Sequence, residues 1–166
     1  MTTAIPLFLA RTDSPIGRLE LTSDGDAVTS LSIARDGHLP LETLPENSNA
    51  VLDEAVRQLS EYFGGTRTAF DVPLHLRGTD FQKSVWAILA RLPFGEYTSY
   101  GEIGHELGLL TAGRAVGGAV GANPVPLLIG CHRVLSSAGR VTGYSGGEGI
   151  PTKLWLLAHE GITLAA

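Results

Sequence analysis

"SYGEIGHELGLLTAGRAVGGAVGANPVPLLIGCHRVL", Ser99 to Leu135, contains both features that organise this chain. Its first part reads as two short helices joined by a tight turn. Ser99 and Glu102 have capping-box spacing, and Gly108 supplies a stop. A short link, "LLTAG", leads into "RAVGGAVGAN", and the two helices form a helix-turn-helix pattern. The second helix is unusual, because Gly117, Gly118 and Gly121 each cost up to about 1 kcal/mol against alanine. Small residues let another surface come close to the backbone. After "NPVP", the run "LLIG" reads as a buried strand. Cys131, the only cysteine, follows it, with His132 and Arg133 next in sequence.

Downstream, "SSAGRVTG" has hairpin composition and "YSGGEG" reads as a loop. "PTKLWLLAHEG" predicts a last helix, with Pro151 in its first turn and Gly161 at its C-terminal end. Upstream, "TDFQKSVWAILARL" opens on Thr79 and Gln82, a second capping-box spacing. It carries Phe81, Val85, Trp86, Leu89 and Leu92 on one face. Before a boundary placed near Arg77-Gly78 the pattern changes. Residues 5–35 alternate apolar stretches with the turn compositions Ser-Pro-Ile-Gly and Ser-Asp-Gly-Asp, which reads as strands. "AVLDEAVRQLSEYF" has helical spacing and ends at Gly64-Gly65, and "TAFDVPLHL" reads as one more short strand. The expectation is an α+β chain in two parts. Residues 1–77 form a small α/β domain with an antiparallel sheet, and residues 78–166 form a mostly helical domain that carries the thiol.

The bulk numbers narrow the function. A chain of 166 residues, 43% hydrophobic and 17% charged, is globular rather than disordered. No apolar run approaches the roughly 20 residues of a membrane helix, and the N-terminus does not read as a signal peptide. One cysteine forms no internal disulfide and no Cys-rich zinc site, which points to a reducing, cytoplasmic setting. The net charge of −5 argues at first against nucleic acid. The acidity belongs to the front, however. Residues 1–79 hold 11 acidic and 6 basic groups, whereas residues 80–166 hold 6 of each. A neutral half can bind DNA with modest salt dependence if its arginines face one way.

A free thiol is mostly protonated at neutral pH, so a nucleophilic cysteine needs a base or a positive field. Adjacent side chains on an extended strand point to opposite faces, so contact between Cys131 and His132 requires a turn or a bridging water. A histidine base wants an acid to fix its tautomer. Glu160 qualifies, since it sits in the last turn of the final helix, where the macrodipole disfavours a carboxylate. Each residue also has a plain reading: Cys131 as a small buried hydrophobe, His132 as a structural histidine, Glu160 as a surface carboxylate.

"GRAVGGAVGANPVPLLIGCHRVLSSAGRVTGYSGG" with "KLWLLAHEG" closely resembles the O6-alkylguanine-DNA alkyltransferases, the methylated-DNA–protein-cysteine methyltransferases. The resemblance spans about residues 79–161, and more loosely "DSPIG" and "YF-G" in the first half. It implies a ribonuclease H-like first domain and a winged helix-turn-helix-like second one. It implies Cys131 as alkyl acceptor, His132 as base through a bound water, and Glu160 as the group orienting it. Asn123 resembles the hinge asparagine between recognition helix and active-site loop. Arg114 resembles the arginine that fills the space of a flipped nucleotide, and Tyr100 the tyrosine that rotates the 3′ phosphate and protonates guanine N3. Tyr144 and Ser145, with Gly130 and the carbonyl near Val134, would line the guanine pocket. Ala115, Gly117, Gly118, Gly121 and Arg133 would complete the DNA-contacting set.

The implied activity is direct-reversal repair: irreversible, single-turnover transfer of an alkyl group from O6-alkylguanine, and from O4-alkylthymine, to the protein's own cysteine. The implied partner is double-stranded DNA bearing the lesion, engaged by a monomer, with cooperative loading left open. No membrane partner, cofactor or zinc is expected, since His38 and His75 are isolated. The family has proline before the cysteine; this chain has Gly130, expected to loosen the loop, widen the pocket wall and slow transfer or alter the range of alkyl groups. The stretch "EGIP" is longer than usual and puts the spacing to Glu160 in question. The alternatives are a non-enzymatic lesion-binding protein, a helix-turn-helix regulator and a thiol hydrolase. An intact Cys131 disfavours the first, a reading helix poor in Asn and Gln the second, and the lack of an oxyanion-hole motif the third.

Overall fold

In the computed structural model, residues 8–110 and 113–164 are described. They divide into two compact units that part between Arg77 and Gly78. No described helix is long and apolar enough to cross a membrane.

The first unit is built on a three-stranded antiparallel sheet in the order β1 (Phe8–Thr12), β2 (Leu19–Ser23), β3 (Val28–Ile33). β2 is central and buried along its whole length, with Leu19 and Leu21 towards the core. Helix α1 (Ala50–Phe63) covers that core with Leu52, Ala55, Leu59 and Tyr62, which recur at helical spacing. Asn49 caps it by accepting from the Leu52 N–H. The opposite face of β2 carries Glu20, whose charge is matched by Arg11 at 2.9 Å. Arg11 also donates to the carbonyls of Leu41 and Leu44, and the Leu41 N–H donates to Glu20, so loop 39–47 is tied over this side. The strand expected in "TAFDVPLHL" does not form. Only a single bridge joins Leu74 to Val28, flanked by bonds through Pro73 O and the His75 N–H. Pro73 has no N–H with which to continue a ladder.

The second unit begins with α2 (Asp80–Ala90), entered through the full Thr79–Gln82 capping box. Val85, Trp86 and Leu89 are its buried stripe. β4 (Thr98–Ser99) leads into α3 (Tyr100–Glu106), and α4 (Gly113–Gly121) follows. α4 packs on both α2 and α3. The indole of Trp86 fixes it by donating to the Ala119 carbonyl at 2.8 Å. Only half of the second capping box forms. Ser99 accepts from the Glu102 N–H, but the Glu102 carboxylate turns to the Thr98 hydroxyl. Ser99 is itself the last residue of β4, paired in parallel with Leu135 of β5 (Val134–Leu135).

"LLIG" is not a strand. Leu127 has φ 76°, and the Ile129 N–H bonds back to Val125, so the chain coils after Pro124 and Pro126 into a 3-10 turn, Cys131–Arg133. The expected hairpin is a turn only: the Ser136 N–H bonds to Arg140 O around Gly139 at φ 76°, and no second strand follows. α5 (Ile150–His159) starts with Pro151 in its first turn. Its Leu157 packs with Leu135 and Ile162 in a small core.

Trp86→Phe trims the indole to a phenyl ring and removes the donor at Ala119 O, leaving that carbonyl only its longer bond from the Ala122 N–H. It is expected to cost about 1–3 kcal/mol, seen as a lower urea midpoint with unchanged m-value.

Candidate active site

The 3-10 turn decides where three consecutive side chains go. With three residues per turn they diverge, rather than alternating between two faces as on a strand. Cys131 lines a cavity of about 630 Å³, within the size range of small-ligand sites. His132 and Arg133 turn inward and are buried. Cys131 itself is only 4% exposed, yet it borders the cavity and is not sealed off.

Behind the thiol sits a buried ionic cluster centred on Glu160, the residue that closes α5. Its carboxylate accepts from His132 Nε2 at 2.7 Å, from Arg133 Nε at 2.7 Å and Nη2 at 2.9 Å, and from the Gly95 N–H at 3.1 Å. Arg133 also donates to Leu92 O. With Nε2–H directed at Glu160, His132 Nδ1 carries the free lone pair, and it has no hydrogen-bond partner among the described residues. Burial pushes the His132 pKa down. Glu160 opposes that, but the Arg133 and Lys153 charges act with burial, so the ring is neutral. The spacing questioned at "EGIP" still delivers Glu160 to His132. Just before α5, Gly149 takes φ 78° and the Glu148 N–H bonds to Thr152 Oγ1.

Arg133, expected on the DNA face, is instead committed to Glu160 and Leu92, so its guanidinium is withdrawn from the surface. Gly130 and Val134, expected to line the pocket, do not. The Cβ that Gly130 lacks would stand 2.9–3.0 Å from the Arg133 guanidinium, so its missing bulk faces the ion pair. The Val134 carbonyl is held by Lys153 Nζ at 2.5 Å.

The cavity walls come from three places. α3 supplies Tyr100 and Gly101, α4 supplies Gly113, Gly117, Val120 and Gly121, and the loop after β5 supplies Thr142 to Ser145. The Tyr144 hydroxyl stands 3.9 Å from Cys131 Sγ. Its ring folds over Gly146, where any Cβ would collide with it at 2.8 Å. Burial pushes the thiol pKa up, while Asn123, Tyr144 and Lys153 oppose that rise, so the resting sulfur is a thiol. Burial raises the Tyr100 phenol as well. Asn123 donates to Ile129 O at 2.9 Å and accepts from the Val125 N–H at 3.0 Å, pinning the segment between α4 and the turn. Arg114, Ala115 and Gly118 are exposed on α4, outside the cavity lining. A Cβ on Gly113, Gly117 or Gly118 would meet nothing within 4 Å, so these glycines leave an open face.

Lys153 went unforeseen in the sequence. It is fully buried in the first turn of α5, lines the cavity, donates to Val134 O and Gly143 O, and lies 6.0 Å over the Tyr100 ring. Burial brings its pKa down to about 8. The available signal was a cation placed where the helix dipole disfavours one, on the apolar stripe with Leu156 and Leu157.

Residues 7–76 match the family model described as the ribonuclease-like domain of 6-O-methylguanine DNA methyltransferase, and residues 80–162 match its DNA binding domain. The methylated-DNA–protein-cysteine methyltransferase of Mycobacterium tuberculosis H37Rv is 46% identical over 135 residues, covering 81% of this chain and 82% of that one. The constitutive enzyme of Bacillus subtilis is 35% identical over 160 residues, covering 94% and 96%. Among solved structures, the M. tuberculosis O6-methylguanine methyltransferase superposes with TM-score 0.82 at 43% identity, covering 96% of each chain. The M. tuberculosis OGT in complex with DNA gives 0.82 at 44%, covering 92% of each.

Two outcomes test the cluster. Glu160→Gln leaves a buried guanidinium without its countercharge and is expected to destabilise by about 3–5 kcal/mol in chemical denaturation. His132, depressed from 6.5, leaves the unfolded chain binding the extra proton, so its share of stability is complete above pH 6.5 and drains as pH falls below it. The slope, at most about 1.4 kcal/mol per pH unit, is expected to flatten between pH 6.5 and the folded-state pKa in His132→Gln.

Proposed function

The chain belongs to the 6-O-methylguanine DNA methyltransferase family, and from that premise we propose how its residues repair DNA by direct reversal, moving an alkyl group from O6-alkylguanine in duplex DNA onto Cys131. The observation that carries this reading is a single cysteine on the wall of an open cavity, backed by a buried His132–Glu160 pair with Nδ1 unengaged.

The reacting carbon of the lesion is inside the base stack, so the nucleotide has to be extruded, at a cost of a few kcal/mol. α4 presents small residues and an open face, suited to close approach in a narrow minor groove. Arg114, exposed at its start, takes the place of the extruded nucleotide. The base enters between Tyr100, Tyr144 and Ser145 and meets Cys131.

His132 Nδ1 then takes the thiol proton through a bridging water, because the turn gives Cys131 and His132 no direct contact. Glu160 holds the Nε2–H tautomer and favours the imidazolium that forms. The thiolate attacks the alkyl carbon in line. The S–C bond forms, the C–O6 bond breaks, and its electron pair passes to the guanine, which Tyr100 protonates at N3. The half-buried phenol, raised by desolvation, gives up that proton as charge develops on the base. The product is a thioether, so each molecule acts once. O4-alkylthymine offers the same displacement at carbon. Residues 78–166 hold this machinery and residues 1–77 form a separate domain. The nucleophilic thiol suits a reducing cytoplasm.

Incubation with duplex DNA carrying a labelled O6-methylguanine is expected to add one methyl group to the Cys131 peptide, detected by mass spectrometry. Cys131→Ser is expected to bind the same DNA without gaining mass. Binding by the wild-type protein with no label transferred would leave a lesion-binding protein in place of an enzyme.

A further inference from the structure

The cavity is shared between two segments that have no covalent continuity near it. One wall is the inner side of α4, through Gly113, Gly117, Val120 and Gly121; the facing wall is the loop Thr142–Ser145. α4 is firmly seated from behind, by Trp86 at Ala119 and by Asn123 just past its end. The loop is much less constrained by its sequence. It contains Gly143, Gly146, Gly147 and Gly149, the last two at φ 50° and 78°. Its base is held by Lys153 Nζ, which donates to Gly143 O at 3.1 Å. Its tip is held by Ser145 Oγ, which donates to Gly121 O, the last carbonyl of α4, at 2.9 Å.

The Ser145–Gly121 bond joins the two walls of the cavity. The carbonyl belongs to the final turn of the helix, where backbone acceptors lack intrahelical donors. Ser145 is exposed, so the bond is cheap to make and to break. A Cβ on Gly121 would stand 3.9 Å from Ser145 Oγ, so the two segments meet here at ordinary contact distance.

We infer that Ser145 is a positioning residue that couples the seating of α4 on duplex DNA to the arrangement of the thiol pocket, through its hydrogen bond to the terminal carbonyl of α4. The inference rests on the reading of α4 as the DNA-engaging helix. Its content is separate from any contact Ser145 makes with the base. The bond fixes the loop tip to the seated helix that meets the duplex, so Tyr144 and the wall facing Cys131 are held in register with the bound DNA. A free nucleobase does not load α4, so it does not use the link.

The test compares two substrates, a duplex with O6-methylguanine and the free O6-methylguanine nucleobase. Transfer to Cys131 is followed for wild type, Ser145→Ala and Ser145→Thr. The duplex-to-nucleobase ratio of rate constants is expected to fall about threefold to tenfold in Ser145→Ala, the range one hydrogen bond supplies. Ser145→Thr, which keeps the hydroxyl, is expected to restore the ratio. A ratio unchanged in Ser145→Ala, whether both rates fall together or neither does, overturns the coupling and leaves Ser145 a pocket wall or a helix cap. A ratio that rises overturns it too. Wild-type protein that methylates Cys131 from neither substrate would instead sink the alkyltransferase reading itself.

Discussion

One buried carboxylate organises the active half of this chain. Taking a charge such as Glu160 out of water is expensive, and an unpaired carboxylate there would be protonated or would unfold its surroundings. Four donors meet it: two from Arg133, one from His132 and one from the backbone of Gly95. These come from the turn after Ile129 and from the loop following α2, while the carboxylate itself ends α5. The cluster therefore joins three segments, and it does so with directional bonds that tolerate little slip. A hydrophobic plug of the same volume would hold the segments as well, but it would not choose a histidine tautomer. That choice frees Nδ1, and it is the step from stability to chemistry.

The thiol illustrates the opposing demand. A cysteine inside the protein is harder to ionise, and here burial outweighs the groups that favour the thiolate. A low resting reactivity suits a side chain that is consumed by its first reaction, since oxidants and stray electrophiles would otherwise compete. In the proposed reaction, activation is left to a base reached through water and to a substrate that has to be delivered. Delivery falls to α4, whose glycines weaken the helix in isolation. The helix persists because Val116, Ala119 and Val120 bury against α2 and α3 while its other face stays bare. Function is thus drawn from packing on one side and emptiness on the other.

Much of this was legible in the sequence because local rules and tertiary structure agree. The Thr79 cap, the α1 stripe, the Gly108 stop and the two short helices all rest on interactions within a few residues. Cys131, His132, Glu160, Asn123 and Tyr144 were readable as a set, and they stand in one neighbourhood. The misreadings share a cause, which is that a long-range partner decides. "LLIG" has the composition of a strand, yet Asn123 and two prolines bend it into a turn. "TAFDVPLHL" has strand residues but no neighbour beyond one bridge. The β4–β5 pair joins residues too far apart for any local pattern to announce. The resemblance placed Arg133 in the DNA-contacting set. Only the fold shows that Glu160 claims it. Lys153 was hidden for the same reason, since the carbonyls that justify burying an amine lie 10 and 19 residues away.

Gly130 stands where the resemblance leads one to expect proline, and the fold changes what that glycine means. Its φ of −76° is one that proline adopts without strain, so the glycine is not needed for its backbone freedom. Nor does it enlarge the pocket, which it does not line. The space it leaves is filled by the Arg133 guanidinium, at a distance where any Cβ would press on it. A bulkier residue would have to be accommodated by moving the arginine, and Arg133 is bound at both ends, to Glu160 and to Leu92 O. A displacement of a few tenths of an ångström there passes through Glu160 to His132, because all three are hydrogen-bonded in series. In the proposed reaction, the residue before the nucleophile therefore bears on the base rather than on the substrate. In that reaction the consequence of the glycine falls on the geometry of proton removal.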